Sequence, residues 1–467
     1  MNRNLVKGLV CIAIPVAVLL TPVPPGLTLL AWQLLAVYLG AVLGLMLKPV
    51  PEPVVLLTAL AVTALCFKQI ATALSGFAET VPWLVFAAFI IGQCFVETGL
   101  GSRISYLLIG KLGRTSLGLG YVAAISDLVL APATPSNTAR TGGLIFPIFQ
   151  SLAVTLDSTP GPTARRIGSY FMVLLYQISL VTATMFITAG AIHPMNLAFA
   201  KNIMNADVSW MQWAVAMFIP GILTLMIIPY LVYKIYPPEI KVVDNKAIAA
   251  KGFEKLGLMT ANEKKLAFLF LLAIIGWATG TITKLDPSGI AIGFVAVSLL
   301  IGVITWHKVL ECKSAWSTFI WYAGIISLAN GLNKAGFFVW LGKVLAQNVN
   351  FVGMNKIGVM IGLVLMGVVV RYLFASTAAF VATFVPVLYT LGMVAELPVI
   401  PLVLLVGASS QIASLMTHYG NAVGPILFGP GYVDQATWWK IGHIVTVVAL
   451  TIYVGVGLSW WKVMGLW

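Results

Sequence analysis

A polar turn broken by two prolines, Ala131-Pro-Ala-Thr-Pro-Ser-Asn-Thr-Ala-Arg-Thr-Gly-Gly143, stands between two apolar runs, 117–130 and 144–154. Neither run reaches the roughly 20 residues a membrane-spanning helix needs. Together they predict a helical hairpin, 117–155, that enters a bilayer and returns to the same side. Free backbone groups at such a tip are tolerated only where protein buries them or water reaches them. Ser136 is placed to cap the returning arm, with Asn137 and Thr138 in its first turn. Loose N–H groups and a positive dipole end there favour an anion. Arg140 adds a full charge one turn further on. An ionisable side chain at membrane depth is a functional hypothesis by default. Its structural alternative is an ion pair with Asp127 on the other arm.

Composition fixes the setting. Of 467 residues, 60% are hydrophobic and 9% charged, and the mean hydropathy is +1.00, which is an all-α polytopic membrane protein rather than a soluble domain. The net charge of +13 reads as basic cytoplasmic loops, since no nucleic-acid-binding motif accompanies it. Cys11, Cys66, Cys94 and Cys312 lie in apolar runs without CxxC spacing, which predicts neither a metal site nor disulfides. The apolar run after Met1 lacks a small-x-small cleavage site, so it reads as a first membrane helix.

Apolar spans are expected at 6–21, 27–47, 53–67 and 81–98. A basic amphipathic arm follows at 101–113, then the hairpin. A span broken at Thr188-Ala-Gly-Ala-Ile-His-Pro-Met-Asn196 covers 167–203, and another covers 211–233. Lys234 to Lys265 is a charge-dense cytoplasmic linker, read as a solvated loop. The second half repeats the order: spans at 266–283, 288–306 and 315–331, an arm, a hairpin at 357–390, a broken span at 399–430 and a last span from 441 to 460. In the arms, Gly331-Leu332 matches Gly99-Leu100 and Gly342-Lys343 matches Gly110-Lys111, at an offset of 232. An odd number of crossings separates the halves, so the repeats are inverted, and paired interrupted segments point to a transporter's midplane site. With the N-terminus inside, 18 of 27 Lys and Arg fall on cytoplasmic segments, which predicts an inside N-terminus and an outside C-terminus in a bacterial inner or plasma membrane.

Thr134-Pro-Ser-Asn-Thr-Ala-Arg-Thr-Gly-Gly143 resembles the signature of the divalent anion/sodium symporter family, closest to its exchanger branch of citrate/succinate antiporters and 2-oxoglutarate/malate translocators. Ile125-Ser-Asp-Leu-Val-Leu-Ala-Pro132, Ser327-Leu-Ala-Asn-Gly-Leu332, Phe374-Ala-Ser376, Thr417-His-Tyr-Gly420 and Phe428-Gly-Pro-Gly-Tyr432 fit the same pattern. The resemblance implies a homodimer of eleven-helix protomers with two re-entrant hairpins, working as an elevator. A scaffold (1–113 and 266–356) would carry a transport part (114–233 and 357–467), with 234–265 between them. It also implies that Ser-Asn-Thr motifs at both tips bind substrate carboxylates. Ser136-Asn137-Thr138 keeps the first, whereas Ser376-Thr377-Ala378 replaces the second. The register between tips stays open by one residue, because Pro147 and Pro386 align only if Ser376 pairs with Asn137.

The expected substrate-binding residues are Ser136, Asn137, Thr138, Arg140, Ser376, Thr377, Thr417 and His418. Gly190, His193, Asn196, Ala378, Tyr419 and Gly420 form a second tier. Arg371 ranks below Arg140. Arg140 and His418 would supply fixed positive charge where symporters recruit sodium, so neither sodium nor any other cofactor is expected to be required. The expected function is exchange of dicarboxylates such as malate, succinate, fumarate or 2-oxoglutarate, against the alternatives of a sodium-coupled di- or tricarboxylate symporter or a citrate/succinate antiporter. No HExxH, GxSxG or cluster of acids supports an enzyme.

Overall fold

The structure, a computed structural model, describes residues 3–349, 351 and 353–467. Residues 1, 2, 350 and 352, which the expected segments 1–113 and 266–356 include, lie outside the described residues. Apart from one isolated bridge between Thr115 and Val242, the regular structure described is helical. Among the described residues, nine helices are long and apolar enough to cross a membrane, with shorter apolar helices at Asn4–Leu20, Glu52–Leu65 and Pro287–Leu300.

Burial separates the centre from the rim. Gly168–Met185, the first half of one broken helix, is buried at every position, and the helix leading into the second break, Val399–Ile412, is almost as enclosed. A helix that is apolar all round belongs inside a bundle. Ala261–Thr283 is the opposite case. It exposes Phe268, Leu271, Leu272, Ile275 and Ile282 and presents a broad apolar face outward. The two interrupted helices therefore form the core around which the others are laid.

Both hairpins are present. The first runs through Ser116–Leu130, a 3-10 turn at Ala131–Ala133, a π-helical stretch Thr138–Ile145 and Phe146–Thr155. The second is Lys356–Arg371 and Thr377–Val394. Each returning arm begins on a serine cap: Ser136 Oγ accepts from the Ala139 N–H at 3.3 Å, and Ser376 Oγ from the Ala379 N–H at 3.3 Å. The caps pair Ser136 with Ser376 at an offset of 240. The π-helical stretch takes up the one extra residue that separates Ser136 from Pro147 relative to Ser376 and Pro386, so the open register closes.

Two expectations are corrected. The arm pairing at an offset of 232 fails because Gly331-Leu332 lies inside the helix Lys313–Lys334. The positional match to Gly99, at φ 78° before Leu100–Leu112, is Gly336, at φ 81° before Phe337–Asn348. Both corners need a left-handed residue, which glycine supplies without strain. The charged stretch 234–265 is not wholly a solvated loop either. Asp244 caps a helix, Asn245–Leu256, that packs under the first arm. Gly252 lies against the Tyr106 ring so closely that a Cβ would stand 2.4 Å from it. Asn245 Nδ2 donates to the carbonyls of Ile109 and Gly110 at 3.1 and 2.7 Å. Hydropathy alone missed this helix because its inner face is made of alanine and glycine.

Candidate functional site

A cavity of about 420 Å³ lies where the two tips and the two breaks meet. Pro135, Ser136, Asn137 and Thr138 line it from the first tip, and Ala375, Ser376, Thr377 and Ala378 from the second. Gly190, Ala191 and Ile192 come from the first break, and Tyr419, Asn421, Ala422 and Pro425 from the second. Phe89, Thr318 and Trp321 form the opposite wall, with Lys48 and Glu52 at the rim.

Three helical segments of eight residues or more begin at this cavity: the π-helical stretch from Thr138, Thr377–Val394 and Ile192–Met204. Each brings unsatisfied N–H groups and a partial positive charge of about half a unit. The one carboxylate among the lining residues is Glu52, which is held by Lys48 at 2.7 Å in an exposed i,i+4 pair. Such a pair contributes roughly 0–1 kcal/mol. Hydroxyl, amide and helix-end donors thus face one another with no free acid between them. Chemically, such a set of donors can accept negative charge from two sides.

Arg140 does not line this chamber. Its guanidinium is fully buried and every N–H is used. Nε donates to Asp127 Oδ2 at 3.0 Å, Nη1 to the carbonyls of Thr134 and Ala189 at 2.8 and 3.0 Å, and Nη2 to the Ser179 carbonyl and Thr182 Oγ1 at 3.2 and 3.1 Å. Asp127 also accepts from Thr141 at 2.6 Å and from the Thr182 hydroxyl. The direct substrate contact expected of Arg140 is corrected: the ion pair neutralises it and ties the first tip to the first break. His418 is corrected as well. Its Nδ1 accepts the Trp439 indole N–H at 3.0 Å, and indole only donates, so that nitrogen carries no proton and the ring is neutral. The ring stacks on Phe428, with centroids 4.6 Å apart, and packs edge-on against Tyr419 without itself lining the chamber.

The remaining expected residues divide. Gly190, Ala378 and Tyr419 line the chamber, the last with its hydroxyl on the Tyr372 carbonyl at 3.1 Å. Thr417 and Gly420 sit behind the wall, where their carbonyls accept from Tyr176 and Arg371 respectively. His193 is buried against Trp213, with centroids 5.1 Å apart, and Asn196 bonds Tyr389 at 2.5 Å and the Val403 carbonyl at 3.2 Å. Both are core residues of the resumed helix. Sequence reasoning missed Gln411 and Asn421. Gln411 is a buried amide whose Oε1 lacks a partner at the edge of the chamber. A lone glutamine just before a break in an apolar helix was the available signal. Phe89 and Trp321 gave none, since aromatic residues in membrane spans are ordinary.

Comparison with known proteins places the whole chain in one family. The family model described as "Sodium:sulfate symporter transmembrane region" matches residues 2–467. An inner membrane protein of Escherichia coli (strain K12) is 42% identical, covering 100% of this chain and 99% of its own. A putative malate transporter of Bacillus subtilis (strain 168) is 37% identical over 99% of this chain and 97% of its own. An L-tartrate/succinate antiporter of Escherichia coli (strain K12) is 34% identical over 97% of each. Among solved structures, a transporter of Alcanivorax borkumensis superposes with a TM-score of 0.60 at 11% identity, covering 86% of this chain and 89% of that one. That likeness concerns the fold alone. The chain is a multi-pass membrane protein of the divalent anion/sodium symporter family.

Proposed function

We propose that the protein is a secondary active exchanger of small dicarboxylates of the malate, succinate, fumarate or 2-oxoglutarate type. The observation that carries this reading is that both hairpin tips and three helix starts line one chamber whose lining holds no unpaired carboxylate. Ser136, Asn137 and Thr138 would receive one carboxylate, and Ser376 and Thr377 the other. Gln411 and Asn421 would contribute amide contacts. The relatives named a malate transporter and an L-tartrate/succinate antiporter support the substrate class and the exchange mode.

Exchange follows from electrostatics. An empty chamber carries positive helix ends with no counter-charge, and moving such a site through a bilayer is costly. A bound dianion offsets that charge. Sodium is not required in this reading, because fixed protein dipoles replace the cation. The two hairpins and two broken helices would move together against a scaffold built of the remaining helices, in a homodimer, with the N-terminus cytoplasmic. Lys48 and Glu52 then mark a cytoplasmic mouth. At the other end Asn330 links Glu79, at 3.1 Å, to Asn202, at 2.8 Å, and the movement would break that link.

Counterflow in proteoliposomes tests the reading. Labelled succinate should enter only when unlabelled dicarboxylate is inside, and equally with sodium or choline as the cation. Uptake that demands sodium and proceeds into empty vesicles would instead establish the symporter alternative.

A further inference from the structure

The two hairpins differ in how their arginines are balanced. Arg140 faces Asp127. Arg371, at the end of the second hairpin's entering arm, is 1% exposed and has no carboxylate within 4 Å among the described residues. Its Nη2 donates to Thr377 Oγ1 at 2.8 Å, to Ser414 Oγ at 2.8 Å and to the Gly420 carbonyl, and Nη1 donates to the Phe374 carbonyl. Nε has no partner. The offset of 240 set by the serine caps places Gly367 opposite Asp127 and Phe380 opposite Arg140. The second hairpin therefore lacks the acid at the matching position, and the Phe380 ring lies 5.8 Å from the guanidinium instead. Carbonyls, hydroxyls and a ring face solvate a cation, but they do not neutralise it.

We propose that Arg371 is a positioning residue that gives the chamber its uncompensated positive charge and so selects dianions, acting through Thr377. Thr377 lines the chamber, and its oxygen accepts from Arg371 behind and from Asn421 Nδ2 at 3.3 Å. With those acceptor positions filled, the Thr377 proton is free to turn from the Gly420 carbonyl, 3.2 Å away, toward a carboxylate. The guanidinium polarises that hydroxyl and attracts the second negative end of the substrate. This assignment rests on the dicarboxylate reading above.

Ser414 allows the charge to be cancelled without removing the arginine. Ser414→Asp would place a carboxylate beside Arg371, copying the first hairpin's pair, while Ser414→Asn adds the same bulk without charge. Succinate binding to the purified protein is measured by calorimetry, with monomethyl succinate as the monoanion. S414D should bind succinate about tenfold or more weakly than S414N, from the loss of one close charge in a low-dielectric site. R371K should keep the preference for succinate over monomethyl succinate, and R371Q should lose it. Equal affinities for S414D and S414N would overturn the assignment and leave the exchanger reading standing. R371Q that keeps the dianion preference would overturn it equally. Wild-type protein that binds no dicarboxylate would bring down the exchanger reading and this assignment together.

Discussion

Arg140 and Arg371 show how the surroundings of a buried cation decide its role. Removing one partner from a buried, fully bonded ion pair leaves an unpaired charge, which costs about 3–5 kcal/mol. Arg140→Ala and Asp127→Asn should therefore each lower the thermal unfolding temperature sharply, and the double substitution should recover part of the loss. Unchanged melting together with weakened succinate binding would return Arg140 to the substrate site. At this scale the sequence was informative about residue types and less so about directions. Ser136, Asn137, Thr138, Ser376 and Thr377 all reach the chamber lining, because a cap and the turn after it are local geometry. The Asp127 pair of Arg140 is legible as the alternative to a substrate contact, whereas Thr182 on Arg140 and Trp439 on His418 are supplied by elements distant in the chain. Spacing along the chain does not report which face a long side chain turns to.

At the scale of elements, the hairpins and breaks were legible from short apolar runs, prolines and glycines. The π-helical turn and the linker helix were not. The first adds a single residue without changing hydropathy, and it was visible only as the misfit between Pro147 and Pro386. The second hides its packing face behind small residues. That face gives a direct test. Gly252→Val forces branched carbon into the Tyr106 ring, and overpacking of this kind costs about 1–3 kcal/mol. The helix Asn245–Leu256 should then detach from Leu100–Leu112, and limited proteolysis should cut within 240–260 faster than in wild type. Equal cleavage rates would mean that the contact does not hold the linker in place.

For the whole molecule, the arrangement places polar, incompletely bonded backbone at the centre and continuous apolar helices outside, as a bilayer demands. The two hairpin tips and the two breaks line one chamber, so each half of the chain supplies part of it. Neither half can complete it alone. The central claim is that this shared chamber holds both ends of one substrate. A cryo-electron microscopy map of the protein in saturating succinate tests it most directly. The account predicts elongated density bridging the two tips, with one end against Ser136, Asn137 and Thr138 and the other against Ser376 and Thr377. Density confined to one tip, or lying in the separate cavity bordered by Lys201, Trp210 and Lys284, would contradict it.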